Sequence, residues 1–181
     1  MRVLAFRKRL VLYRKKGASM ESVTHPIPPV YDTSSKILIL GSFPSVKSRE
    51  GRFFYHHPQN RFWKVLAAVT KEPPADTIEG KTCFLLKNHI ALWDVIASCT
   101  ITGSSDSSIR DVIPNDLSQI LSQSQVAQIF CNGSTSFRYY RKYQQPLTGK
   151  TAVQLPSTSP ANAAWSLDKL IDAWSVIGGF L

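Results

Sequence analysis

KILILGSFPSVKSREGRFFYHHPQNRFW, residues 36–63, is the stretch from which the fold can be predicted. It opens with a continuous apolar run, residues 37–40, which ends at Gly41 and is typical of a strand buried on both faces of a parallel sheet. Gly41 and Pro44 predict a tight turn at the carboxyl end of this strand, which is where ligands bind in open α/β sheets. An apolar pattern with helical spacing starts at Phe62 and predicts a helix there.

Alternating strands and helices are predicted along the rest of the chain. The further strands are residues 89–96, 126–131 and 151–155, and the helices are residues 62–69, 77–88, 116–124, 134–143 and 162–176. The polar, serine-rich residues 98–108 are expected to form a loop. Four strands separated by helices predict a three-layer α/β/α domain with a central, mostly parallel four-stranded sheet.

The positive charge of the chain is concentrated at its beginning. The 181 residues carry a formal net charge of +10, but residues 1–19 hold seven basic residues and no acidic one, so residues 20–181 carry only +3. Charge alone is therefore weak support for nucleic-acid binding. Residues 1–19 are interpreted either as an amphipathic, transit-like or nucleic-acid-binding arm or as an extension upstream of a natural start at Met20, and we favour the extension. One domain, residues 20–181, is expected to follow.

Metal, cofactor and membrane signals are weak. The three cysteines, Cys83, Cys99 and Cys131, form no C-x-x-C pair, so neither a zinc site nor an iron–sulfur cluster is expected. His56 and His57 are adjacent and point apart in an extended backbone, which also disfavours a metal site. Isolated thiols fit a reducing, cytoplasmic compartment, and no run of about 18 apolar residues predicts a membrane span. We expect no metal and no cofactor, and we predict a monomer.

Polar residues follow the ends of the predicted strands. Because the carboxyl ends of parallel strands meet at one edge of a sheet, the loops after Leu40, Leu92, Cys131 and Leu155 are expected to open on the same edge. That edge would also collect the serines, cations and aromatic rings of residues 42–60. Hydroxyls, cations and stackable rings suit a phosphate-bearing polymer with flat bases. The sequence therefore predicts a nucleic-acid site at this edge.

Three motifs in a fixed order resemble the uracil-DNA glycosylase superfamily. They are GSFPS at residues 41–45, HPQNRFW at residues 57–63 and LPSTSPAN at residues 155–162. Together with SRE at residues 48–50 and ALWDVI at residues 91–96, they are most similar to the hypoxanthine-DNA (deoxyinosine) glycosylase branch. The resemblance covers about residues 26–174. It implies a DNA repair enzyme that extrudes a damaged base from the duplex and hydrolyses its N-glycosidic bond without a cofactor.

Two positions depart from the pattern of that superfamily. Members commonly place Asp or Asn just before the proline of the first loop, where it positions the attacking water, but this sequence has Phe43 there. The late loop of members often begins with His or Asn, which stabilises the departing base, but here it begins with Leu155. The polar chemistry is therefore expected to come from other residues of the site, and Phe43 is expected to form a wall of the base pocket.

Asn60 is the predicted catalytic residue. Its amide can accept from a water while donating to the sugar or the base; the alternative is that it only caps the following helix. The resemblance implies that Tyr55 stacks on the extruded base with Phe54 beside it, although these rings can instead pack in the core. Asp94 is predicted to accept from the N1–H of hypoxanthine and Asn132 to touch the base, and the alternative for both is a local cap.

Nine polar residues are predicted to contact the DNA backbone or to enter the duplex. They are Ser42, Ser45, Lys47, Ser48, Arg49, His57, Ser157, Thr158 and Ser159. Ser157 is predicted to bind a phosphate, and residues 158–159 are predicted to form the wedge that fills the gap left by the base. For the cations and hydroxyls of the first loop, the alternative is an ordinary solvated surface.

The sequence thus predicts a monofunctional glycosylase that excises a deaminated base from damaged DNA, hypoxanthine in preference to uracil or xanthine. No lysine is placed as an amine nucleophile, so no lyase activity is expected. Two alternatives stay open. One is a mismatch-specific uracil/thymine-DNA glycosylase, against which the missing polar residue before Pro44 argues. The other is a non-catalytic nucleic-acid-binding module on the same fold.

Overall fold

The computed structural model describes residues 20–73 and 76–181. The strands are β1 (Glu21–Thr24), β2 (Ile37–Gly41), β3 (Ile90–Asp94), β4 (Ile96–Ile101), β5 (Arg110–Pro114), β6 (Gln128–Asn132) and β7 (Ala152–Leu155). The helices are α1 (Val46–Glu50), α2 (Phe62–Thr70), α3 (Ile78–Lys87), α4 (Ser118–Gln123), α5 (Ser134–Tyr139), α6 (Gln145–Thr148) and α7 (Leu167–Trp174). A π-helical turn, Tyr140–Gln144, joins α5 to α6, and short 3₁₀ turns cover Asp106–Ser108 and Ser175–Phe180. The predicted extension, residues 1–19, lies outside the described residues.

A four-stranded parallel sheet forms the centre of the fold, in the order β3-β2-β6-β7. All three neighbouring pairs in this sheet are parallel. The predicted three-layer α/β/α fold with a parallel four-stranded sheet is therefore confirmed. The register pairs Gly41 with Asp94 and Asn132 with Leu155, so the carboxyl ends of the four strands lie side by side.

A second sheet of three antiparallel strands, in the order β1-β4-β5, was not predicted. The predicted strand 89–96 is in fact two strands, because β3 ends at Asp94 and β4 begins at Ile96 in the other sheet. The expectation of a loop is accordingly wrong for residues 98–101, which pair with β1 and β5. In β4, Cys99 and Ile101 are buried, whereas Ser98 and Thr100 lie nearer the surface. The segment is therefore a half-buried strand, although its serine and threonine content is typical of a loop.

The two faces of β2 explain its unbroken apolar sequence. Ile37 and Ile39 belong to a core layer with residues of α2, α3 and α7, whereas Leu38 and Leu40 belong to a second layer with residues of α4 and the antiparallel sheet. All five residues of β2 are buried. Because each large apolar side chain stabilises the fold by about 1.5–3 kcal/mol when fully buried, a polar residue on either face of this strand would be unfavourable.

The predicted helices are present with somewhat different bounds. The terminal helix α7 begins at Leu167 and not near residue 162, because the Ser166 hydroxyl caps it by accepting from the N–H of Lys169. Residues 156–165 consequently form a long irregular loop after β7. The first loop also contains a helix that was not predicted, α1, which Ser45 caps.

Candidate active site

A cleft with a volume of about 840 Å³ opens at the carboxyl ends of the four parallel strands. Of the fifteen predicted site residues, twelve line this cleft, whereas Lys47, Arg49 and His57 do not. The strand-end loops therefore meet as the sequence predicted. One wall was not predicted: it consists of residues 104–107, from the hairpin that joins β4 to β5.

Asp94 lies at the floor of the cleft and is held by His25. The Nε2 of His25 lies 2.8 Å from Asp94 Oδ2, and both side chains are at most 5% exposed. The Nδ1 of His25 accepts from the backbone N–H of Ile27 at 3.1 Å. The proton of the imidazole is therefore on Nε2, which donates it to the carboxylate. This bond orients Asp94 and leaves its Oδ1 against Gly41.

The hydroxyl of Tyr55 is a buried polar group that has no hydrogen-bond partner among the described residues. A β-carbon on Gly41 would lie 3.0 Å from this oxygen and 2.1 Å from Asp94 Oδ1, so the two oxygens flank the same point of the backbone. Burial, together with the negative charge of Asp94, raises the pKa of Tyr55 well above its usual value. The phenol therefore keeps its proton at neutral pH, and a donor and an acceptor stand side by side at the cleft floor.

Aromatic rings of the first loop form part of the cleft wall. Tyr55 has a φ of 51°, in the left-handed region that is strained for an aromatic residue, and it stacks on Phe62 with ring centroids 3.9 Å apart. One face of Tyr55 is thus covered inside the protein, which leaves at most one face for a base. Phe54 is only 2% exposed and belongs mainly to the core. Phe43 is 8% exposed and packs edge-on against His25.

Asn60 connects the first loop to the late loop. Its Oδ1 accepts from the backbone N–H of Phe62 and from the hydroxyl of Thr158, each at 3.0 Å. Because the Phe62 N–H must face an oxygen, the orientation of the amide is fixed. Both lone pairs of Oδ1 are then in use, and Nδ2, which has no partner among the described residues, is the group that Asn60 can offer to a substrate. Asn60 therefore caps α2 with its oxygen and can still contact a substrate in the cleft with its nitrogen.

Thr158 is a buried link between the late loop and β6. It is fully buried, its N–H donates to Asn132 Oδ1 at 3.0 Å, and its hydroxyl accepts from Asn132 Nδ2 at 2.9 Å. The predicted role of Thr158 in a wedge does not fit this position, since a wedge must be exposed. Asn132 likewise uses its amide chiefly to hold this loop. Ser157 and Ser159 are partly exposed and line the cleft.

The guanidinium of Arg61 holds the late loop, residues 156–165, by hydrogen bonds to its backbone. It donates to the carbonyl oxygens of Thr158, Ser159, Asn162 and Trp165. The distances to Ser159 O and Asn162 O are 2.6 and 3.1 Å. A planar fork of donors suits such a set of acceptors better than an ammonium group does. Arg61 was not among the predicted site residues, and its one sequence signal is its place beside Asn60 in the HPQNRFW motif.

The two cations of the first loop have partners within the protein. Lys47 Nζ lies 2.9 Å from a carboxylate oxygen of Glu50 on the surface. Arg49 donates to the carbonyl oxygen of Pro44 at 2.9 Å, and its guanidinium lies 5.8 Å from the ring centroid of Phe43. Lys47 or Arg49 could therefore bind a DNA phosphate only if it gave up these contacts within the protein.

The remaining polar groups of the first loop also bond locally. The Ser45 hydroxyl accepts from the N–H of Ser48, and the Ser48 hydroxyl accepts from the N–H of His56. Ser48 is only 3% exposed, which does not fit its predicted contact with the DNA backbone. His57 accepts from the N–H of Gln59 through Nδ1, so it shapes the turn and leaves Nε2 for another partner.

Asp106 enters the cleft from the β4–β5 hairpin and was not predicted. The hydroxyl of Ser42 donates to its carboxylate and lies 3.1 Å from both oxygens. The hydroxyl of Ser104, in the same hairpin, accepts from the N–H of Val46 at 2.9 Å. Partial desolvation by the surrounding cleft walls raises the pKa of Asp106, although its side chain stays accessible to solvent, and the charge of Asp94 acts in the same direction. The available sequence signal was that Asp106 is the one acidic residue of the serine-rich segment 98–108.

The charge of the cleft is negative. Among the described residues that line it, the titratable ones are Asp94, Asp106 and Tyr55, and none is a cation. Within residues 20–73 and 76–181, no group of three or more His, Cys, Asp and Glu side chains is arranged to hold a metal ion. In that same part of the chain, no helix combines the length and the apolar character needed to cross a membrane.

Comparison with known proteins gives consistent matches. A family model described as the uracil DNA glycosylase superfamily matches residues 28–177. A hypoxanthine DNA glycosylase from Methanosarcina acetivorans is 34% identical over 143 residues, which are 78% of this chain and 90% of that protein. One from Methanosarcina barkeri is 32% identical over 114 residues, 62% of this chain and 72% of that protein. The solution NMR structure of a candidate uracil DNA glycosylase from M. acetivorans superposes with a TM-score of 0.73 at 32% identity, covering 84% of this chain and 94% of that one.

Proposed function

Because this chain belongs to the uracil DNA glycosylase superfamily, we propose that it is a DNA glycosylase that excises a deaminated base, with hypoxanthine as the preferred substrate. Two relatives that are 32–34% identical are named hypoxanthine DNA glycosylases. The products would be the free base and an abasic site. The proposed reaction is hydrolytic, since no amine lines the cleft among the described residues and a lyase step would need one.

The observation that carries the proposal is the pair of oxygens at the cleft floor, Asp94 Oδ1 and Tyr55 Oη. The first is an acceptor and the second a donor. Hypoxanthine, the deamination product of adenine, presents the complementary edge: N1–H donates and O6 accepts. Adenine presents the opposite edge, with N1 as acceptor and the N6 amino group as donor. Bound adenine would leave the buried pair unsatisfied, at about 1–3 kcal/mol for each group.

The same N–H and carbonyl edge also occurs in uracil and xanthine, and in the undamaged bases guanine and thymine. The Asp94–Tyr55 pair therefore discriminates against adenine and cytosine and does not by itself separate the members of the class that carries this edge. The preference for hypoxanthine within that class is supported by the names of the two relatives. A cleft of about 840 Å³ that opens at the protein surface suits a base that has been extruded from the duplex, because a stacked base cannot reach the cleft floor.

Asn60 is proposed to act as a donor to the substrate. Its Oδ1 is occupied by Phe62 and Thr158, so the water-accepting role considered from the sequence is not available to it in this geometry. Its Nδ2 can donate to the sugar or to an acceptor of the base as the bond to C1′ breaks. Loss of one such donor typically lowers the rate about 100- to 1000-fold.

The test is a strand-nicking assay on duplexes that carry a single hypoxanthine, uracil, xanthine or mismatched thymine, with alkali to cut the abasic site. Wild type is compared with Asn60→Asp, which keeps an oxygen for Phe62 and Thr158 but removes the N–H donors. Asn88→Asp is the matched control, because Asn88 follows α3 and does not line the cleft. We expect hypoxanthine to be released fastest, with Asn60→Asp at least about 100-fold slower and the control unchanged.

Other outcomes would redirect the proposal. Nicking at uracil or at mismatched thymine in preference to hypoxanthine would indicate the mismatch-specific alternative. Binding of duplex DNA without release of any of the four bases would indicate the non-catalytic binding module.

A further inference from the structure

The negative charge of the cleft is unusual for a site that receives DNA. The two carboxylates that line it repel phosphates, and no cation lines it among the described residues to compensate. A negative cleft is, however, favourable for the transition state of N-glycoside hydrolysis, in which positive charge develops on the sugar as the base departs. Hydrolysis also needs a group that orients and deprotonates the water that attacks the sugar. The two carboxylates of the cleft are the candidates for that group.

Three of the polar groups near the reacting end are already committed. Asn60 Oδ1 accepts two hydrogen bonds inside the protein, and Asp94 Oδ2 accepts from His25. Asp94 Oδ1 is the group proposed above to read the base edge. Phe43, in the first loop before Pro44, has no polar side-chain atom. The remaining carboxylate is Asp106, which accepts from the single hydroxyl of Ser42 and so keeps lone pairs for a water.

Asp106 is held in a defined place although its segment is a surface hairpin. The hydroxyl of Ser42, the residue directly after β2, lies 3.1 Å from both carboxylate oxygens. A second link, from the N–H of Val46 to the hydroxyl of Ser104, ties the same hairpin to the start of α1. These two contacts fix the hairpin to the first loop on both sides of Phe43. Asp106 remains exposed to solvent in the cleft, so a water can reach it.

We propose that Asp106 is a catalytic residue, which orients the attacking water and accepts its proton while its charge stabilises the cationic sugar. The inference rests on the proposed glycosylase function and adds to it the group that assists the water. The carboxylate comes from the antiparallel sheet, not from the first loop. Residue 43 can then be apolar without loss of the chemistry.

The proposed step balances as follows. The bond from C1′ to the base nitrogen breaks, and its electron pair leaves with the base. The water oxygen bonds to C1′, one of its protons passes to Asp106, and the departing base takes a proton from solvent. Asp106 then releases its proton to solvent and is ready for another turnover. No oxidant, reductant or second substrate is needed.

The surroundings of Asp106 predict the pH dependence. The charged and titratable groups that face it are Asp94 from β3, Arg138 from α5, Tyr55 from the first loop and Cys99 from β4. Burial raises the pKa of Cys99 to about 11, and Tyr55 is also neutral near pH 7, so Asp94 and Arg138 are the charged neighbours. Because the ionised form is the active one, the single-turnover rate should rise with pH through a pKa above the ordinary Asp value of about 3.9 and then level off.

The central test is Asp106→Asn, assayed in single turnover on the duplex that contains hypoxanthine. The amide oxygen of the variant can still accept from Ser42, so the hairpin stays tied while the charge is lost. We expect a rate about 100- to 1000-fold lower and loss of the acid limb from the pH–rate profile, with duplex binding not weakened. Asp111→Asn is the matched control, since Asp111 lies in the same hairpin, bonds Thr100 and does not line the cleft.

A structural role and a chemical role give different results. If Asp106 only anchored the hairpin, Asp106→Asn, which keeps the bond to Ser42, would retain the wild-type rate and the acid limb, whereas Ser42→Ala, which removes that bond, would slow the reaction. In Asp106→Ala, added formate should restore part of the rate if a carboxylate is needed, whereas an anchoring role predicts no rescue. An Asp106→Asn enzyme with the wild-type rate and pH profile would overturn the inference and leave the glycosylase function standing. Wild type that releases none of the four bases would overturn both.

Discussion

Gly41 is the residue at which the fold and the site constrain one another. It ends β2, and a β-carbon there would lie 2.1 Å from Asp94 Oδ1, a separation at which atoms must move apart. The sequence showed a glycine that ends an apolar run, which predicted a turn. The structure shows why this position needs a glycine: the carboxylate of Asp94, from the neighbouring strand, occupies the space that a side chain would fill.

We predict that Gly41→Ala displaces Asp94 and disturbs its bond to His25. The expected result is a free energy of unfolding lower by about 1–3 kcal/mol, measured by urea denaturation, and loss of base release in the nicking assay. Gly179→Ala is the control, because a β-carbon at Gly179 would meet no atom within 4 Å. Equal stability and activity in the two variants would show that Asp94 has room to move without consequence.

The contact between His25 and Asp94 shows why single residues of the site escape sequence analysis. The two residues are 69 positions apart, and neither lies in a periodic pattern that points to the other. Asp94 could be proposed because it ends a strand, but His25 belonged to a proline-rich lead-in with no recognisable role. Side-chain pairs between distant segments depend on the packing of the whole fold.

At the scale of elements, the parallel strands were predictable and the antiparallel ones were not. A strand that is buried on both faces, such as β2, must be apolar throughout, and the pattern is read directly. β4 is the half-buried central strand of the second sheet, in which the partly exposed Ser98 and Thr100 alternate with buried residues, and β5 is a mostly exposed edge strand. Their pairing depends on β1, which lies far away along the chain. Asp106 was missed for the same reason, because its hairpin belongs to that second sheet.

The late loop gives the prediction at this scale. Residues 156–165 have no regular structure, and Arg61, at the start of α2, holds them by donating to four of their carbonyl oxygens. Arg61→Lys keeps the charge but cannot supply a planar fork of donors. Because hydrogen bonds to charged groups contribute about 1.5–3 kcal/mol each at most, we expect a loss of about 1–3 kcal/mol in the free energy of unfolding and faster proteolysis within the loop. Arg52→Lys, at an exposed position, should change neither measurement.

At the scale of the whole molecule, the distribution of charge on the folded surface differs from the expectation drawn from the first loop. Lys47 and Arg49, predicted to bind phosphates, have partners within the protein. Arg138, Arg141 and Lys142, on α5 and the π-helical turn, are exposed and have no acidic partner in an ion pair among the described residues. They line a second groove, which shares Ser134 and Gln154 with the main cleft. This basic strip, Arg138, Arg141 and Lys142, therefore borders the cleft.

We predict that the basic strip contributes to DNA binding through phosphates and not through the chemistry of base release. In the double variant Arg141→Gln/Lys142→Gln, which leaves Arg138 beside Asp106 in place, the slope of log K against log salt concentration should become shallower by about 1–2, since each phosphate contact contributes about 0.9. The single-turnover rate at saturating duplex should stay as in wild type. Lys71→Gln/Lys87→Gln removes the same charge from positions that line neither groove, and its slope should match wild type. Full-length chain is used throughout, so the seven cations of residues 1–19 contribute equally in every comparison. A slope that falls equally in both double variants would mean that net charge, and not the strip, governs binding.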